Sequence, residues 1–289
     1  MKGSALAALF SGAACISLSP IFVRVAEVGP TASAFWRVAL AVPFLWLAVI
    51  IARKTAAPGA TGPDIPGASL LAAGIAFAGD LLFWHWSIQF TSVANSTLMA
   101  NLASIFVTLA VWVLWRQRPR ALFLGGLALA LAGVAVLVRS SAVAGKAHLF
   151  GDALGVITAL FYSWYLLAVK SVRERGAPVL LLMAVTTSLT ALILLPAAWF
   201  SGEALLPPTA SSWIKLLGLA LVSHSAGQGL IAYALAHLPA GFSSAGLLLQ
   251  PVMAALFAWL ILAEPLGALQ AAGGVAVLLG IYLAKRGSG

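Results

Sequence analysis

The chain is a succession of apolar runs, each about twenty residues long and each closed off by a lone basic residue, a Pro or a Gly. That punctuation leaves few folds open. Backbone N–H and C=O groups in hydrocarbon must be satisfied within their own segment, so each such run predicts a membrane-spanning helix. The first half predicts helices near 4–26, 31–53, 68–90, 93–115 and 121–138, and the second near 150–170, 177–200, 213–235, 240–262 and 267–285. The shortest connections fall around Thr91 and Pro239. Ten spans use roughly 200 residues and leave no room for a large soluble domain. Composition agrees: residues of the set AVILMFWYC make up 62% of the 289 and charged residues 8%, where a soluble domain has about 45–50% and about 25%.

The net charge of +9 is not a nucleic-acid footprint. Its basic residues sit singly between apolar runs instead of gathering on one face, so no nucleic-acid partner is expected. With the N-terminus inside, Lys2, Arg53, Lys54, Arg116, Arg118, Arg120, Lys170, Arg173, Arg175, Lys285 and Arg286 fall at inner ends, against Arg24, Arg139, Lys146 and Lys215 at outer ends. This bias predicts a multi-pass cell-membrane protein with both termini cytoplasmic, in the inner membrane if the source is Gram-negative. Lys2 and the run from Ala5 to Ile16 look like a signal peptide, yet equally long runs follow, and the segment reads as the first retained span. The single Cys15 excludes a disulfide framework and a thiolate zinc site, and no metal or cofactor is expected. No Gly-x-x-x-x-Gly-Lys-Ser/Thr loop is present for nucleotide phosphates, so any active transport draws on a gradient.

The halves read as copies. Sliding the chain on itself by 147 residues lays Trp112 on Trp259, Gly126 on Gly273, Gly133 on Gly280 and Arg139 on Arg286. Five spans per copy, an odd number, force the second copy to insert upside down. The expected fold is therefore an all-α integral membrane protein of ten transmembrane helices in two five-helix inverted repeats, 1–144 and 145–289. Such pairs place a solute site near the midplane and alternate by rocking.

Polar residues deep in the spans are the candidate site. Asp80 is near the middle of helix 3, where an unpaired charge costs about 2.5–3.5 kcal/mol even on lenient scales. Two readings stand: a cavity carboxylate that binds an amine or carries a proton, or a structural pair between helices. Arg37 in helix 2 carries the same two readings, the structural one favoured by a long stem that can snorkel outward. Trp84 and Ser87 follow Asp80 on one helical face, while His85 and Trp86 point elsewhere, Trp86 as an interfacial anchor. Asn101 lies on a polar stripe of helix 4 with Thr97, Ser104 and Thr108, a packing seam or a cavity wall. His224 and Gln228, four apart in helix 8, are expected to face the same way. Thr158, Tyr162 and Tyr165 share a face of helix 6, Tyr162 as the cavity residue. In helix 9, Gln250 precedes Pro251, which removes a backbone bond and offers a bend, as do Pro20 and Pro43. Gly126, Ala130, Ala272, Ala276 and Gly280 assign helices 5 and 10 to scaffold or dimer packing, leaving monomer and homodimer open.

Two segments resemble a known family. Ser19-Pro20-Ile21-Phe22-Val23-Arg24, then Gly29-Pro30 and Phe35-Trp36-Arg37-Val38-Ala39, is similar to the helix 1, loop and Arg-bearing helix 2 pattern of the drug/metabolite transporter superfamily. Gln250-Pro251-Val252 through Leu262-Ala263-Glu264-Pro265, with Gly273-Gly274 and Gly280, resembles the helix 9 and 10 signature of its ten-helix exporters with two EamA-type repeats. Ser104 and Gln117 stand where the second copy has Pro251 and Glu264, so no symmetric role is expected there. The Glu of helix 1 that marks the four-helix multidrug relatives is absent. The resemblance implies export of small organic solutes without a bound cofactor, with Pro20, Arg37, Pro251 and Glu264 in gating or structural roles.

The expectation is a secondary transporter, not an enzyme, exporting amino acids or related metabolites, aromatic or hydrophobic ones first. Its predicted substrate-binding residues are Trp84, Asp80, Asn101, Tyr162, His224, Gln228 and Gln250, and its partners the solute and the lipid bilayer. The alternatives are an exporter of other drugs or metabolites, a channel, and an intramembrane aspartyl enzyme using Asp80 with Asp152. The last pairs a mid-depth carboxylate with one at a helix end.

Overall fold

A computed structural model describes residues 2–55, 67–91, 93–138, 146–263 and 266–288. Among these there is helix and turn but no strand. Nine helices are long and apolar enough to cross a membrane: α1 (Gly3–Val25), α2 (Pro30–Thr55), α3 (Gly67–Phe90), α4 (Ser96–Trp115), α6 (Leu149–Glu174), α7 (Val179–Phe200), α8 (Ala210–Leu235), α9 (Ala240–Ile261) and α10 (Ala268–Gly287). Between α4 and α6 lies the shorter apolar helix α5 (Ala121–Leu137). These spans match the predicted ones to within four residues. Helix α6 runs furthest past expectation, to Glu174, where Lys170 Nζ meets the Glu174 carboxylate at 2.7 Å across one turn and supports the extra length.

The packing closes on itself when the halves are exchanged. Helix α5 lies against α10, α2 against α7 and α4 against α9. The contact of α3 with α6 has its counterpart in α8 with α1, and α4 with α6 in α9 with α1. This is the contact pattern of a two-fold axis between two inverted copies. The α5/α10 pair shows it atom by atom. A Cβ built on Gly126 would stand 2.6 Å from Gly280 O, and one built on Gly133 would stand 2.7 Å from Gly273 O. Each contact becomes the other under the 147-residue shift, and only Gly lets these backbones approach so closely. Helices α4 and α9 also end alike. Arg116 (φ 55°) and Ala263 (φ 54°) are left-handed caps whose N–H groups bond back to Val111 O and Ala258 O, all 147 apart.

Several spans are interrupted at depth. Helix α1 turns at Leu18, α2 at Leu40 and α9 at Leu247–Leu248, each two to four residues before Pro20, Pro43 and Pro251 respectively. A Pro ring removes the bond to the carbonyl four residues back, so the break falls just upstream. At the α9 break Leu247 O accepts from Gln250 N at 2.9 Å, and Ser17 Oγ, beside the α1 break, lies 2.7 Å from Ala13 O and 3.0 Å from Gln250 O, tying α1 to α9. Helix α4 breaks at Leu102 without a Pro, beside Asn101, whose Nδ2 donates to Thr97 O at 2.7 Å. Residues Leu219–Gln228 of α8 form a π-helical stretch, which nothing in the sequence announced.

Candidate solute site between the repeats

The interruptions converge. A cavity of about 80 Å³ opens where α1, α2, α3, α4, α6, α8 and α9 meet. Its walls are Ile16, Ser17, Ser19 and Pro20 of α1, Arg37 of α2, and Asp80, Leu81 and Trp84 of α3. Thr97, Ala100 and Asn101 of α4, Tyr162 of α6, Gln228 of α8 and Gln250 and Ala254 of α9 complete them. Irregular backbone at membrane depth is tolerated where it is buried in protein or lines a polar cavity, and the breaks in α1, α4, α8 and α9 all adjoin this one.

The two ionic side chains on its wall are Arg37, 4% exposed, and Asp80, 9% exposed. They are near enough to couple electrostatically, yet among the described residues they form no direct ion pair. Two ionisable side chains buried on one wall without an ion pair between them are costly in hydrocarbon and leave room for a guest to supply partners. Four further groups point the same way. Ser19 Oγ, Arg37 Nε, Tyr162 Oη and Gln228 Oε1 are buried without a hydrogen-bond partner, and all four residues line the cavity. The Tyr162 hydroxyl faces the Gln228 and Gln250 side chains but closes a bond with neither. Native interiors rarely leave polar atoms unpaired, and a cluster around one void marks a place for a polar guest or water.

Trp84, Asp80, Asn101, Tyr162, Gln228 and Gln250 of the predicted set thus come together, with Pro20 and Arg37 beside them. Pro251 is buried next to Gln250 but is not part of the wall. Glu264 lies outside the described residues. His224 does not reach the cavity. Its Nε2 meets Thr187 Oγ1 of α7 at 2.8 Å and its ring stacks on Phe77 at 5.2 Å. Its tertiary partners are the physical reason: the hydroxyl of Thr187 on α7 and the Phe77 ring on α3 take up the imidazole, while Gln228, four residues on, reaches the cavity wall. Ser87, further along the Asp80–Trp84 face of α3, donates to Gly151 O of α6 at 2.7 Å and is not part of the cavity wall. Ser104 and Thr108 return their hydroxyls to Asn101 O and Ser104 O, so the lower half of the α4 stripe satisfies its own backbone.

His85 is fully buried with both ring nitrogens unpartnered, and Trp86 Nε1 donates to Thr31 Oγ1 at 2.9 Å, which makes Trp86 an inter-helix tie as well as a half-exposed aromatic. Ser17 and Ser19 escaped the sequence reading. The signal was the run Ser17-Leu18-Ser19-Pro20, two hydroxyls and a Pro inside an apolar span. Asp152 is occupied by Thr91 Oγ1 at 2.8 Å, at the end of α3, while the ionic neighbour of Asp80 is Arg37. No carboxylate dyad forms there.

Outside the spans, the loops between α1 and α2 and between α7 and α8 are bound together. The Glu203 carboxylate accepts from Thr31 Oγ1 at 2.8 Å, Thr31 N at 3.3 Å and Ala32 N at 2.9 Å, capping the start of α2. Trp36 Nε1 donates to Leu205 O at 2.6 Å. Glu27 accepts from Ser212 Oγ at 2.5 Å and Thr209 Oγ1 at 3.2 Å, with Lys215 Nζ at 3.9 Å. These hydroxyls, then the lysine, hold the Glu27 carboxyl below its usual range.

A ten-helix bundle of two inverted copies, with a polar cavity between them, defines a multi-pass membrane transporter. The profile of the EamA-like transporter family matches residues 3–139 and again 149–286, and the chain belongs to that family. It is 27% identical over 273 residues to an uncharacterized transporter of Archaeoglobus fulgidus, an alignment covering 91% of each chain. A solved crystal structure shares the fold with a TM-score of 0.82 at 17% identity, covering 100% of this chain and 99% of that one. As a membrane transporter, the protein has the lipid bilayer and a small-molecule solute as its partners.

Proposed function

We propose that the protein is a secondary exporter of amino acids, aromatic or hydrophobic ones first, which takes them up by their charged ends in the cavity between the repeats. The observation that carries this reading is that Arg37 and Asp80 share one cavity wall, with no ion pair between them among the described residues, beside the unpartnered atoms of Ser19, Tyr162 and Gln228. A zwitterion supplies the missing partners: its carboxylate accepts from the Arg37 guanidinium, its ammonium donates to Asp80, and the hydroxyls and amides take the remaining bonds. Trp84, Ile16, Leu81 and Ala254 offer an apolar wall for the side chain. The residues matched by the family profile support a repeat boundary at 144/145. At about 80 Å³ the cavity is narrower than the roughly 300–1,000 Å³ of a ligand site, so a solute enters when helices part, and the breaks in α1, α4 and α9 supply the hinges. The basic-residue bias supports cytoplasmic termini, in an inner membrane where there are two.

Exchange tests this directly. Proteoliposomes preloaded with unlabelled phenylalanine or tryptophan should take up labelled solute at a saturable rate above protein-free vesicles. Non-saturable uptake indifferent to preloading identifies a pore, and no exchange across the twenty amino acids by folded protein removes the amino-acid reading.

A further inference from the structure

A second and larger cavity, about 740 Å³, opens between the ends of α4, α5, α6 and α9, on the side that the basic-residue bias assigns to the cytoplasm. Its lining divides by chemistry. Val111, Trp115, Phe123, Leu167 and Phe242 form an apolar wall, and Trp115 is 51% exposed at its mouth. The polar part carries Arg118, Arg120, Lys170 and Glu174, with His237 beside them.

The charges are not equivalent. Lys170 Nζ is fully engaged, with Glu174 at 2.7 Å and with Leu235 O and Leu238 O at 3.1 Å each, so that pair is closed. Arg118 and Arg120 have no side-chain hydrogen bond or ion pair among the described residues. They stand two apart in the irregular link 116–120, where Pro119 favours extended backbone and alternate residues share a side. The cavity therefore presents two free guanidiniums and no free carboxylate at the ends of the apolar helices, continuous with an aromatic and aliphatic wall.

We propose that this cavity binds an anionic phospholipid, its phosphodiester held by Arg118 and Arg120 and an acyl chain laid along Trp115 and Phe123. Guanidinium pairs bond phosphate oxygens in a geometry that ammonium does not match, and basic pockets between transmembrane helices on the cytoplasmic side suit such headgroups. The apolar wall is what sets a lipid apart from free phosphate. This inference needs the membrane fold and the orientation, not the amino-acid reading, and its test involves no transport.

Delipidated full-length protein in a neutral detergent would be titrated with phosphatidylglycerol, phosphatidylcholine or inorganic phosphate, reading apparent Kd from the rise in unfolding temperature. Wild type should prefer phosphatidylglycerol. Arg118→Gln with Arg120→Gln should weaken it about 25-fold, at about 1 kcal/mol per basic side chain. Arg118→Lys with Arg120→Lys should lose part of this, and the exposed control pair Arg53→Gln with Lys54→Gln should stay within about twofold. Equal losses in the control pair, equal binding of phosphatidylcholine, or reproduction of the whole effect by inorganic phosphate would each overturn the proposal.

Discussion

Substituting Asp80 by Asn replaces the carboxyl on the cavity wall with an amide and keeps the side chain's shape. If Asp80 receives the ammonium of a zwitterion, the lost contact is a charge-assisted hydrogen bond, about 1.5–3 kcal/mol, or about 10- to 150-fold in affinity. The ligand can be trimmed to match. Phenylalanine carries both charges, phenylalanine amide lacks the carboxylate, and 3-phenylpropionate lacks the ammonium. Asp80→Asn should weaken phenylalanine and its amide by that factor and leave 3-phenylpropionate within about threefold. Arg37→Gln should weaken phenylalanine and 3-phenylpropionate and spare the amide. Calorimetric titration of solubilised wild type and both variants gives the nine affinities, and the mutant-by-ligand cycle cancels effects on folding common to all ligands. A loss equal across the three ligands would show that Asp80 and Arg37 hold helices and not solute, and would refute the reasoning.

Three predictions concern the scaffold. Gly273→Leu, whose Cβ would stand 2.8 Å from Gly133 O, should cost about 1–3 kcal/mol or more by forcing α5 from α10, whereas Gly125→Leu meets nothing within 4 Å and should be silent; thermal unfolding in detergent compares them. Glu203→Ala should cost about 1–2 kcal/mol by uncapping α2, and Gly29→Ala, whose Cβ would collide with the Glu203 side chain, should be harmful in wild type but not in Glu203→Ala. The Glu27 carboxyl is depressed by its hydroxyl partners, so its contribution is present above the ordinary value of 4.5 and fades as pH falls through the lower folded value. Glu27→Gln should therefore flatten the loss of unfolding temperature between neutral and strongly acid pH, and an unchanged slope would contradict the assignment.

Much of the site was legible because charge is so scarce in this chain. Asp80 and Arg37 stood out as ionic groups where lipid forbids them, and Trp84 followed from helical spacing alone. The Pro residues marked three of the breaks for a local reason, the missing N–H. His224 is kept from the cavity by Thr187 of α7 and the Phe77 ring of α3, partners that helical spacing cannot reveal. Ser87 keeps its place on the Asp80–Trp84 face of α3 but donates to a carbonyl of α6 outside the cavity, a bond that no local pattern contains. The larger cavity was invisible as a cavity, although Arg118 and Arg120 were counted among the inner charges.

What the linear chain determined by itself was the set of spans, their inverted duplication and the spacing of the Gly positions. Bilayer thickness and backbone hydrogen bonding impose those on any sequence of this hydropathy. Tertiary structure alone decided which polar atoms remain unpaired. That depends on which helices meet: Gly126 against Gly280 and Gly133 against Gly273 set how close the halves come. The interrupted α1, α4, α8 and α9 then leave between them a void on whose wall Arg37 and Asp80 both stand.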